Sequence, residues 1–196
     1  MLPLRTNGPA YRLEGFAVAT HVSPLDIDFD TIDTSRYEYI DGQLIERPVP
    51  KPLHSRVQGT LIEVLGPKAR SLGCRFGPEL SVDKENRRRS EWLTPDNALY
   101  HDPPRTSPGG NALPDDIELV VEVLSPEQTM QQMRQKAQSY FKWGLQTVWI
   151  IDPEKKMAEI HRNAYSPVTV RPGEDLCVVF RDGKTSIEIP FVDLLG

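Results

Sequence analysis

From about residue 36 onward, apolar and polar residues fall into short runs whose period switches between two and about 3.6. Residues 1–35 are rich in Pro, Gly, Thr and Asp and weakly periodic, so they read as an N-terminal arm or tail preceding one domain at 36–196. Two alternating runs around Asp41-Gly42 predict a β-hairpin. Val57, Leu61, Ile62, Val64, Leu65 and Ala69 trace an apolar helical stripe, with a kink or break expected at Gly66-Pro67. Strands are expected at 78–83 and 90–102, joined by the basic run Lys84 to Arg89 and followed by a Pro- and Gly-rich loop. A Val-rich strand at 117–124 stops at Ser125-Pro126. There Ser125 reads as a helix N-cap, Pro126 as the first helical residue, Gln128 as the closer of a capping box and Gly144 as the helix end. Strands at 147–152 and 157–162 flank a turn, and a second hairpin pattern surrounds Asp182-Gly183. The sum is a strand-rich α/β or α+β domain with two principal helices.

Within 117–124, Ile117, Leu119, Val121 and Val123 share one face, and Glu118, Val120, Glu122 and Leu124 the other. Glu118 lies near the strand's start, where solvent is expected to reach it. Glu122 lies at the carboxyl end, beside the loop into a helix, where open α/β sheets form ligand crevices. A carboxylate buried there needs a partner, a cation or water. It could equally be a solvent-facing strand-edge residue or one paired with an Arg. Asp96 follows Pro95 at the start of a neighbouring strand, a place where a simple turn residue is also common. In the following helix the apolar stripe is Met130, Met133, Ala137, Tyr140 and Phe141. Lys136 sits roughly 90° from its centre. From this boundary it could snorkel to water or lay its stem along the sheet and present its ammonium beside Glu122.

Composition narrows the classes. Hydrophobic residues make up 38% and charged residues 26% of the chain, and no apolar run approaches a membrane span. The first twenty residues do not read as a secretory signal, so the expectation is a cytoplasmic protein. Cys74 and Cys177 have no metal-type spacing and form no disulfide framework. A net charge of -5 argues against nonspecific coating of nucleic acid, although the run Lys84 to Arg89 could touch phosphates. It does not argue against an enzyme that positions one scissile group. Asp96, Glu122 and Lys136 form a coherent set for phosphodiester hydrolysis. Two carboxylates suit Mg²⁺, which polarises phosphate and acidifies water, and a Lys can orient or deprotonate that water and stabilise phosphate charge.

The segments 37–46 (YEYIDGQLIE), 77–82 (GPELSV), 94–100 (TPDNALY), 113–128 (LPDDIELVVEVLSPEQ) and 136–162, with His54 to Val57, follow one another as in a known family. In this order the chain resembles the Uma-two family of bacterial restriction-type endonucleases, within the PD-(D/E)XK superfamily, over most of residues 37–195. The resemblance implies a restriction-endonuclease-like core, a mixed central sheet flanked by helices with additional β-hairpins. It also implies Mg²⁺-dependent chemistry, with Mn²⁺ able to substitute, on DNA, and a homodimer. By position, Asp96 resembles the motif's Asp and Glu122 its second acid, the two metal ligands. The superfamily Lys two residues after that Glu is here Leu124, and the resemblance points instead to Lys136 on the following helix. His54 matches a recurrent family position as an accessory residue, or is a capping or loop His. Gln43 stands where the family often has an acid after Asp-Gly. Asn97 and the Leu-Thr-Pro-Asp context are milder departures.

The leading expectation is thus a Mg²⁺-dependent endonuclease acting on DNA. The rival is a catalytically idle scaffold or nucleic-acid-binding module that keeps the fold, and RNA or nucleotide cleavage by the same residues is a third reading.

Overall fold

Asp41 and Gly42 both adopt positive φ, 48° and 72°, the pair of left-handed residues that a two-residue turn between twisted strands requires. The computed structural model describes residues 20–21, 32, 36–87, 90–162 and 165–194. The expected arm at 1–35 therefore lies outside the described residues except at 20–21 and 32, as do Arg88 and Arg89 of the basic run. The strands are β1 (Thr20–His21), β2 (Tyr37–Ile40), β3 (Gln43–Glu46), β4 (Cys74–Pro78), β5 (Val82–Asp83), β6 (Trp92–Leu93) and β7 (Asn97–His101). They continue with β8 (Ile117–Val123), β9 (Thr147–Asp152), β10 (Met157–Arg162), β11 (Val168–Val170), β12 (Asp175–Val179) and β13 (Ser186–Pro190). The helices are α1 (Pro52–Ser71) and α2 (Met130–Lys142).

A mixed sheet in the order β11-β10-β9-β8-β7-β4 forms the centre. Among the described strands of this sheet, only β8 and β9 pair in parallel, because α2 carries the chain back over the sheet between them, as a parallel pair demands. One face is covered by α1 and the β12–β13 hairpin. Val57, Leu61, Leu65 and Ala69, spaced by four, meet Leu119, Val121, Val123, Trp149 and Ile151 there. On the other face Met133, Ala137 and Tyr140 of α2 meet Val120, Val148 and Ile150. A smaller antiparallel sheet, β1-β3-β2-β6-β5, stands beside this core. Trp92 anchors it through a tilted ring contact with Tyr39 and an indole N–H donated to the Tyr37 carbonyl at 2.9 Å.

Four expectations need correction. Helix α1 is not broken at Gly66-Pro67 but runs on through it. Glu63, whose carbonyl loses its donor, and Pro67 are both exposed, so water can satisfy that oxygen while Leu61, Leu65 and Ala69 hold the helix to the core. Helix α2 starts later than expected. Gln128 donates its N–H to the Ser125 carbonyl at 2.9 Å and accepts from the Ser125 N–H at 3.0 Å, closing a turn. The N-cap is Thr129, in a reciprocal capping box with Gln132. The expected strand at 90–102 is two strands separated by Thr94-Pro95-Asp96, and that at 78–83 shrinks to Val82–Asp83. Finally, Glu118 is buried, not solvated. It accepts from the Arg181 N–H at 2.8 Å and lies 2.8 Å from His101 Nε2, under the loop of the C-terminal hairpin.

Candidate active site

The β7–β8 ladder ends at Asn97↔Val121, and just beyond it the chain supplies side chains in place of strand partners. Pro95 interrupts the run between β6 and β7, so Asp96 can turn its carboxylate across the end of β8. Its Oδ2 accepts from the Val123 N–H at 2.7 Å and from His54 Nε2 at 3.0 Å. Its main-chain carbonyl accepts from Gln58 Nε2 at 2.6 Å and the Glu79 N–H at 3.2 Å. His54 and Gln58 are one turn apart on α1, so the start of that helix grips Asp96 by side chain and backbone together.

Glu122 points to the α2 face and is 3% exposed. Its Oε1 accepts from the Tyr140 hydroxyl at 2.6 Å and lies 2.8 Å from Lys136 Nζ. The same ammonium lies 2.9 Å from Oε1 of Glu38, on β2, which also accepts from the Thr94 N–H at 2.9 Å. Lys136 and Tyr140, four residues apart on α2, thus address one carboxylate.

Asp96, Glu122, Lys136 and His54, named from sequence on separate elements, line one cavity of ≈ 260 Å³ together with Glu38, Arg47 and Glu79. Sequence reasoning missed Glu38, Tyr140, Gln58 and the Arg47–Glu79 pair. Alternation puts Glu38 on the face of β2 opposite Tyr39, but a Glu in a hairpin strand carries no further mark, and its partner Lys136 stands on α2, far along the chain. Gln43 does not line the cavity; the preceding strand brings an acid there in Glu38.

Burial, with the nearby Asp96 and Glu38 carboxylates, raises the Glu122 pKa to about 7 against the opposing pull of Lys136. Burial also disfavours the Lys136 ammonium, yet Glu122, Glu38 and Asp96 together hold its pKa above the usual lysine value. Those carboxylates hold Lys136 as a cation and donor. Burial likewise opposes the His54 imidazolium, but its bond to Asp96 and the charges of Glu122 and Glu79 raise its pKa. Tyr140, desolvated and facing Glu122, is raised well above its ordinary value and stays a hydroxyl donor.

Among the described residues, no three His, Cys, Asp or Glu side chains converge to hold a metal ion by themselves. The donor chemistry still fits a hard cation. The protein contacts of Asp96 fall on Oδ2 and those of Glu122 on Oε1, which leaves each carboxylate an oxygen for a ligand. Mg²⁺ commonly binds through one or two carboxylates and completes its shell with water and phosphate.

The Uma2 family model, described as "Putative restriction endonuclease", matches residues 27–183. Among solved structures, the chain is similar to "a putative nuclease belonging to DUF820 from Anabaena variabilis ATCC 29413", with a TM-score of 0.68 and 22% identity. The likeness covers 87% of this chain and 96% of that one, and it shows a shared fold. A second, partial likeness is to a chain of a DrdV–DNA complex, with a TM-score of 0.36 and 14% identity, covering 60% of this chain and 12% of that one. No curated protein matches the chain.

Proposed function

Because the chain belongs to the Uma2 family, described as "Putative restriction endonuclease", we propose that it is a metal-dependent endonuclease. It hydrolyses phosphodiester bonds of DNA in the cavity of Asp96, Glu122 and Lys136. The observation that carries this reading is the Lys136 ammonium, delivered from α2 to 2.8 Å from the buried Glu122, in a cavity that Asp96 also lines.

Asp96 and Glu122 would hold the divalent cation, Mg²⁺ or Mn²⁺, which when bound supplies Lewis-acid stabilisation of phosphate charge and makes water more acidic. Every other part falls to the chain's own residues. Glu38 and Glu122 hold the Lys136 ammonium at 2.9 and 2.8 Å, where it can donate to a non-bridging phosphate oxygen or to the attacking water. His54 and Gln58 fix the orientation of Asp96, and Tyr140 fixes one oxygen of Glu122. A homodimer, offering one such cavity to each strand, belongs to the same proposal.

The test is incubation of supercoiled plasmid with the purified protein and Mg²⁺ or Mn²⁺, beside Asp96→Ala, Glu122→Ala and Lys136→Ala. Nicking or linearisation by the wild type, abolished by chelator and in all three folded variants, is the expected result. Cleavage that survives the substitutions would remove these residues from the reaction.

The idle-module reading draws on one observation: the Lys136 ammonium is shared between Glu38 and Glu122, the groups from which it would have to turn to meet a substrate. No cleavage, together with no detectable Mg²⁺ or Mn²⁺ binding by calorimetry, would select it.

A further inference from the structure

Arg47 enters the same cavity from the end of the β2–β3 hairpin. Its side chain is only 13% exposed, and Nη1 lies 3.1 Å from Oε2 of Glu79. Glu79 is 43% exposed, so the ion pair by itself contributes little to stability, and two other features bear on its use. First, its placement is fixed from both sides. The Arg47 N–H donates to the Arg36 carbonyl at 2.8 Å, and Glu79 holds a left-handed backbone, φ 53°, while its N–H donates to the carbonyl of Asp96. A non-glycine residue in that region is held there by its surroundings, and such residues gather at functional sites. Glu79 therefore ties the guanidinium to the residue that carries a cavity carboxylate. Second, the electrostatics of the cavity call for a second cation. Lys136 is shared with Glu38 and Glu122, so before a metal binds, a phosphodiester entering beside Asp96, Glu38 and Glu122 meets three carboxyl groups against one ammonium. Arg47 stands in the field of Glu79, Glu38 and Asp96, which keeps it charged despite its burial.

We infer that Arg47 is a substrate-positioning residue that binds a phosphate of the nucleic-acid backbone in the cavity, with Glu79 holding its guanidinium ready beside Asp96. A guanidinium presents parallel N–H donors that match two oxygens of one phosphate. The exchange of Glu79 for phosphate involves no covalent step. This inference rests on the nuclease reading above.

The test is fluorescence anisotropy of a labelled 30-bp DNA duplex with the full-length chain in chelator, titrated at several NaCl concentrations, beside thermal melts of each variant. Arg47→Ala is expected to weaken binding about tenfold and to lower the salt slope by about one, with Arg47→Lys between it and the wild type. Glu79→Gln removes an anion from the cavity and is expected to bind at least as tightly as the wild type. An ion pair that merely braced the fold would behave otherwise. Both variants would then weaken binding alike, in step with their loss of melting temperature, and that result overturns the inference. So does an Arg47→Ala variant with unchanged affinity and slope. If the wild type cleaves and binds the duplex while Arg47→Ala matches it, only this inference fails. If the wild type neither binds nor cleaves, the nuclease reading falls with it.

Discussion

Glu122 sits in a strand whose seven residues are all buried, and its ionisation is the quantity on which the cavity's charge balance turns. With a folded pKa of about 7 against an ordinary 4.5, the folded protein keeps a proton between those values that the unfolded chain has released. Stability in metal-free buffer must then fall as pH rises through that window, by on the order of 3 kcal/mol once pH passes about 8. His54, also raised, acts in the same direction near neutrality, so the informative comparison is with Glu122→Gln. Urea unfolding of that variant between pH 5 and 8 should show a flatter profile than the wild type. Equal profiles would contradict the assignment. Lys136→Met should cost roughly 3–5 kcal/mol at pH 8, because it leaves Glu38 and Glu122 without their shared cation. His54 acts through Asp96. His54→Ala should lower cleavage by about 10–100-fold, and His54→Gln, which keeps a donor, should restore part of it. Equal loss in both variants would point to a different role. At this scale local anomalies, a carboxylate in a Val-rich strand and a Lys at a stripe boundary, pointed to Glu122 and Lys136, and the resemblance pointed to Asp96; the structure brings the three to one cavity. Glu38 was not legible in the sequence, since its meaning lies in a contact with Lys136, 98 positions away by sequence numbering and set by tertiary packing.

Helix α2 positions Lys136, and its register depends on where it begins. Two capping sequences stand in series, and the helix uses the second, Thr129 with Gln132, while Ser125 and Gln128 close a turn. Thr129→Ala should therefore cost about 1 kcal/mol and lower the melting temperature by about 2–4 °C, and Ser125→Ala should cost less than half as much. The reverse ranking would put the helix start back at Ser125. The sequence could not rank the two, because both offer the right residue types at the right spacing. The hairpin at Asp41-Gly42 and the β9–β10 pair were legible because turn chemistry and alternation are local. The uninterrupted passage of α1 through Pro67 was not. It depends on which face the proline occupies, and only packing against the sheet decides that.

For the whole molecule, the acidic balance of -5 conceals a cavity that gathers Lys136, Arg47 and His54 among its acids. The sheet order, with β8 and β7 adjacent and α2 crossing above them, is what turns separate motifs into one site. Alternation in the sequence indicated the strands but not that order. The most direct measurement is single-turnover cleavage of an end-labelled DNA duplex in Mg²⁺ at pH 8, comparing wild type with Asp96→Asn and Lys136→Met variants of verified fold. The account predicts cleavage by the wild type that chelator stops and at least a hundredfold loss in both variants. Equal rates in all three proteins, or a wild-type rate indifferent to chelator, would contradict it.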